Sequence, residues 1–180
     1  MKKRFLALAL GTLAFGVTLG GVKMGLGHQD AMMVKAAEDE TLLTSLTFST
    51  ETNSEAIGGY TNSWTAKASD ETVFNIKNFN NNNNGWKYVK CGSKKFESVA
   101  SISTSSAIGK AVTKVQITID AITVANVNSI KLYVSPDATF NSSTIVKEFT
   151  IAKGDQFVSL GADAAEKKFY KSHYLHMTDE

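Results

Sequence analysis

The sequence predicts an all-β protein, an antiparallel β-sandwich of jelly-roll-like type behind an export leader. Two observations carry the fold class. Apolar and polar residues alternate in short runs, as in Val115, Ile117 and Ile119 against Lys114, Gln116 and Thr118, and in Ile130, Leu132 and Val134 against Lys131, Tyr133 and Ser135. A period of two places alternate side chains on opposite faces of a strand, one of them buried. Turn residues then separate the runs at close intervals, with no alternation of strand and helix patterns to suggest a parallel sheet.

The chain begins with a basic head, Lys2, Lys3 and Arg4, followed by an uncharged apolar run from Phe5 to Val22 that stops at Lys23. Val34-Lys35-Ala36 supplies a small-residue exit, and Glu38, Asp39 and Glu40 turn the chain acidic directly afterwards. These are the marks of a secretory signal peptide, assigned to residues 1–36. The competing reading is an uncleaved anchor, because the apolar run approaches the roughly 20 residues that cross a bilayer. Its Gly and Ala content lowers its hydrophobicity and favours cleavage.

Removal of the leader changes the charge balance. The whole chain holds 19 Lys and Arg against 17 Asp and Glu; residues 1–36 hold five basic residues and one acidic, which leaves 14 against 16 and a net charge of −2. No broad basic field is left to attract nucleic acid or an anionic membrane. A single cysteine, Cys91, rules out an intramolecular disulfide. The expected product is a secreted or cell-surface protein, monomeric, with no membrane contact after cleavage.

After a polar lead-in at residues 37–41, the sandwich domain is assigned to residues 42–170. Weaker strand patterns cover Leu42–Thr50, Tyr60–Lys67, Thr72–Lys77, Trp86–Cys91, Ser98–Ser103, Thr144–Ile151 and Gln156–Leu160. Gly58-Gly59, Ser69-Asp70, Asn126 to Ser129, Pro136-Asp137 and Gly154-Asp155 punctuate them. Ser105 to Lys110 suits one helical turn. Residues 171–180 are assigned to an irregular or divergent tail. A last strand within Glu166 to Met177, through Phe169 and Tyr170, is the other reading of that end, but it would lack a closing partner strand. Either a sheet edge is left open or the chain is cut short.

The most unusual stretch is Asn78 to Gly92, in which five consecutive asparagines, Asn80 to Asn84, lead into Gly85 and Trp86. Asparagine tolerates positive φ and bonds its own backbone, so the simplest reading is a polar loop closing a hairpin. A second reading is a recognition loop. Amide groups donate and accept hydrogen bonds, which suits sugar hydroxyls, and a neighbouring aromatic ring can stack on a sugar. On that reading the ligand-binding residues are Tyr60, Trp64, Asn82, Asn83, Asn84, Trp86 and Tyr88. A Ca²⁺ site is the third reading, weakened because the run contains no carboxylate and the nearest upstream acids are Asp70 and Glu71. No cofactor is otherwise expected.

Catalytic constellations are missing from the pattern. Cys91 lies within a strand alternation and has no histidine near it in sequence, which suits a small buried hydrophobe better than a nucleophile. His173 and His176 share a face only if they lie on a helix; on a strand they diverge. The acids are spread over loops and give no glycosidase pair.

Several ordered segments carry a resemblance: Tyr60-Thr61-Asn62-Ser63-Trp64, Phe74 to Phe79, the Asn run, Trp86 to Gly92, Ile102-Ser103-Thr104, Val115 to Asp120, and Ser129 to Ser135. Together, from about Thr47 to Tyr170, they resemble a jelly-roll-like β-sandwich module of secreted bacterial proteins, found beside other extracellular domains including nucleases and surface-anchored proteins. The resemblance implies architecture and offers no catalytic residue to carry over. Such modules continue past the position of Tyr170 with an apolar strand and a further hairpin, whereas this chain reads Lys171-Ser172-His173-Tyr174-Leu175-His176. Truncation or a frameshift near Lys171 would explain that departure. The functional expectation is a non-catalytic binding module for a surface glycan. The rivals are an accessory module that pairs with another extracellular protein and, third, a fragment of a secreted hydrolase or nuclease.

Overall fold

The computed structural model describes residues 8–18, 40–48, 63–80, 89–92, 98–141, 144–161 and 168–176. These residues form an all-β protein in which every ladder is antiparallel. The strands are β1 (Leu8–Thr18), β2 (Glu40–Thr47), β3 (Ser63–Lys67), β4 (Val73–Lys77), β5 (Val89–Cys91), β6 (Ser98–Thr104), β7 (Lys114–Ala121), β8 (Val127–Ser135), β9 (Ile145–Glu148), β10 (Gly154–Ser159) and β11 (Phe169–His176). One sheet runs β10-β7-β1-β2, with β5 also paired to β1; the other runs β3-β4-β6-β11-β8-β9.

The alternation seen in the sequence becomes burial. Val115, Ile117 and Ile119 of β7 are buried, as are Ile130, Leu132 and Val134 of β8. They share one hydrophobic cluster with Leu46, Phe74, Ile76, Ile102, Tyr170 and Tyr174, so both sheets feed the same core. Each large apolar side chain buried this way contributes about 1.5–3 kcal/mol from removal of its surface from water.

Three sequence expectations differ from this arrangement. Leu8–Thr18, inside the segment assigned to the leader, is a strand with β7 on one side and β2 and β5 on the other. Its large apolar residues run Leu8, Leu10, then Leu13, Phe15, Val17, a period of two with a one-residue slip. The ladder to β7 shifts register between Ala9 and Leu10 and again between Leu10 and Thr12, the second at the place of the slip. A bulge absorbs the extra residue, and pairing on both sides satisfies the backbone of an uncharged run.

The tail assigned to 171–180 is a strand as far as His176, and residues 177–180 lie outside those described. It is not an open edge either. β11 pairs with β6 from Lys171 to His176 and with β8 from Phe169 to His176. Tyr170, Ser172 and Tyr174 are buried while Lys171 and His173 are half-buried on the other face. Ser172 is tolerated inside because its Oγ donates to the Ile102 carbonyl at 3.3 Å. The third difference is Ser105 to Lys110, which is irregular: Ile108 N–H bonds the Lys168 carbonyl at 2.9 Å, and no helical turn forms. A short 3-10 turn lies instead at Val124–Asn126.

Truncating Tyr174, which packs edge-to-face on Phe79 at 5.3 Å, tests the place of β11. Tyr174→Ala should lower the unfolding free energy in urea by about 3–5 kcal/mol, the usual cost of emptying a large aromatic site. An irregular tail would lose almost nothing.

Candidate functional site

Six strands in register turn the outer face of the second sheet into two polar rows. Thr65, Asn75, Ser103, Lys171, Tyr133 and Val146 stand opposite one another across the strands. Ser63, Lys77, Ser101, His173, Lys131 and Glu148 form the row beside it. The loop after β8 folds over one end, and together they enclose a groove of about 430 Å³ lined by Ser63, Trp64, Thr65, Asn75, Ile76, Lys77, Ser101, Ser103, Ala138, Thr139, Phe140 and Lys171. Hydroxyls, an amide and two ammonium groups form its polar lining. The Phe140 ring is its aromatic component.

The loop is fixed by its own chemistry. Asp137 Oδ1 accepts from the Thr139 N–H at 2.8 Å and from the Thr139 hydroxyl. Those two bonds hold the Asp137 carboxyl below the usual carboxylate range. Phe140 follows with φ 57°. A bulky side chain in the left-handed region costs on the order of 1–3 kcal/mol and persists only where surroundings enforce it. Here the Lys171 ammonium lies 4.4 Å from the Phe140 ring centre and 5.1 Å from that of Tyr133, a favourable cation–π geometry.

His173 packs edge-to-face on Tyr133 at 5.5 Å, and its buried Nδ1 has no hydrogen-bond partner. Burial first, then the charges of Lys171 and Lys131, lower its protonation below the ordinary imidazole value. Burial, followed by the charge of Lys77, likewise lowers Lys171.

Of the ligand-binding residues expected from sequence, Trp64 alone lies among the described residues; Tyr60, Asn82, Asn83, Asn84, Trp86 and Tyr88 lie outside them. Trp64 stands in register with Ile76 on the core side of β3 and is half-buried. It packs edge-to-face on Phe48 at 6.3 Å, and its Nε1–H donates to the Phe79 carbonyl at 3.1 Å. The ring therefore serves the core, while the Trp64 position itself lies along the groove lining. At the base of the Asn run, Asn80 and Lys90 form an antiparallel bridge, with N–H to carbonyl distances of 2.7 and 2.9 Å. Asn78 takes φ 57°, the conformation expected of asparagine in a tight turn. Val89 is buried after the loop, and burial pushes the Cys91 thiol up, which keeps it protonated.

A second cleft, of about 360 Å³, is lined in part by Leu43, Thr44, Asp70, Thr72 and Ser106. Asp70 accepts from the Thr44 hydroxyl at 2.9 Å, the Thr72 hydroxyl at 2.9 Å and the Thr72 N–H at 3.3 Å. Burial works to raise its carboxyl, and these hydrogen bonds together outweigh it and lower it. Among the described residues, no three His, Cys, Asp or Glu side chains gather to hold a metal ion.

No protein-family model, curated protein or solved structure matches this chain.

Sequence reading missed Asn75, Lys171, Tyr133, His173 and Phe140 as site residues. The available signal was the alternation that sets Lys171 and His173 on one face. Their meeting with Asn75 and Ser103 depends on register between distant strands.

The pH dependence follows from His173. Its folded-state value lies below the unfolded value of about 6.5, so its contribution is complete above that pH and is lost as pH falls. The melting temperature should therefore drop between pH 7.5 and 5.5, and His173→Gln should flatten that drop. Asp70 and Asp137, both lowered, act in a separate window below about pH 4.

Proposed function

We propose that this protein is an exported, non-catalytic β-sandwich module that binds glycan at or near the cell surface through the outer face of the β3-β4-β6-β11-β8-β9 sheet. The observation that carries this reading is the groove of about 430 Å³ over that face. Its size lies within the roughly 300–1,000 Å³ range of small-ligand sites. Its floor offers the short neutral donors and acceptors of Thr65, Asn75, Ser101 and Ser103, which match sugar hydroxyls. The Phe140 ring borders it and supplies the aromatic face that stacking on a sugar ring requires. The left-handed Phe140 supports the same reading, because backbone strain of this kind gathers at ligand sites. The leader marks at residues 2–36 support export; Leu8–Thr18 within them supplies β1, so the first sheet as described belongs to the chain that keeps this segment.

The accessory-module reading has its own observation. Phe157 is 62% exposed on β10, which among the described residues is an edge strand of the first sheet. An open edge with an exposed aromatic suits strand addition by a protein partner.

A glycan array probed with the full chain separates the two. Binding should appear, and Phe140→Gly should weaken it by about tenfold, equivalent to losing one good aromatic contact. Glycine suits the φ at residue 140, so the melting temperature should hold or rise. Glycan binding that is indifferent to Phe140→Gly and to Asn75→Ala would remove the groove from the account.

A further inference from the structure

The groove carries charge that no ion pair among the described residues offsets, and this bears on the class of glycan it takes. Lys77 and Lys171 both line it. Lys77 stands next to Ser101, and Lys171 next to Ser103, so the two ammonium stems rise from neighbouring rows one strand apart from each other across β6. Two other lysines of the sheet are ion-paired: Lys131 with Glu148 at 3.5 Å, and Lys67 with Glu71. Among the described residues, no carboxylate forms an ion pair with Lys77 or Lys171. Glu148, the one acid in the two polar rows, is engaged at the far edge. Asp137, in the bordering loop, turns its Oδ1 onto Thr139.

Lys171 is also held in place, its ammonium lying over the rings of Phe140 and Tyr133. A half-buried, positioned cation with a second cation nearby is costly to maintain without an anion. The repulsion shows in the downward pull that Lys77 adds to the effect of burial on Lys171. His173, two residues along β11 from Lys171, contributes little charge near neutrality, because burial and the adjacent lysines keep it largely deprotonated. The anion-binding centre is thus the Lys77–Lys171 pair, surrounded by neutral hydroxyls and the Asn75 amide.

Resting on the glycan reading above, we propose that the groove selects anionic sugars, with a carboxylate or sulfate of the ligand set between Lys77 and Lys171 and the neighbouring sugar hydroxyls met by Asn75, Ser101 and Ser103. The charge is local.

The test uses the full chain and paired polymers that differ in charge. Polygalacturonate is compared with its methyl ester, and dextran sulfate with dextran, by isothermal titration. The anionic member of at least one pair should bind about tenfold more tightly or better, the range expected of a charge-assisted hydrogen bond, and the pair that shows the preference identifies carboxylate or sulfate as the source. Lys171→Met, which keeps the apolar stem, and Lys77→Gln, at an exposed position, should each abolish most of that preference while leaving the melting transition in place. Equal binding of charged and neutral members would overturn this inference and leave the glycan reading standing. Binding of neither member in both pairs would overturn the two together. A preference for the anionic member that survives both substitutions would also overturn the assignment to this groove.

Discussion

Pairing of β11 on both of its edges is the constraint on which the second sheet depends. It joins β3, β4 and β6 on one side to β8 and β9 on the other, and without it the six strands would be two smaller pieces. A strand satisfied on both sides also has its register fixed, because a slip of one residue would turn every side chain to the opposite face. The actual register sends Tyr170, Ser172 and Tyr174 into the core. Lys171 and His173 are left on the outer face, where they meet Ser103, Tyr133, Ser101 and Lys131. The core and the groove are consequences of the same pairing.

That coupling gives the outer face its chemistry. Small residues on β3, β4 and β6, chiefly Ser63, Thr65, Asn75, Ser101 and Ser103, leave room above the sheet, while the loop ending at Phe140 closes over it. Larger side chains at those positions would have filled the groove. The Phe140 and Tyr133 rings beside Lys171 restrict where its charge can lie, and for the proposed ligand that prior arrangement would lower the ordering cost of binding.

How far this was legible in the sequence depends on how local each feature is. β7 and β8 follow from alternation alone, since their apolar residues recur without interruption. The strand nature of 171–176 was obscured because Lys171, Ser172, His173 and His176 read as polar. A central strand of an antiparallel sheet can show such a mixed pattern when one face is solvated and an inward serine finds a carbonyl. Leu8–Thr18 is ambiguous for a related reason: an uncharged run with slipped alternation satisfies the pattern of a leader and of a bulged strand equally. Trp64 was legible as an aromatic of either core or site, and the structure packs its ring with Phe48 on the core side. The groove was not legible, because it assembles from β3, β4, β6 and β11, whose residues lie up to about a hundred positions apart and meet only through register.

Amide hydrogen exchange across residues 169–176 tests the central role of β11 most directly. If β11 is the paired middle strand, its ladder amides should be protected to the same degree as those of β6 and β8 and should exchange only by global unfolding. Exchange of these amides at the rate of an exposed loop, with β6 and β8 still protected, would contradict the account and remove the basis of the groove.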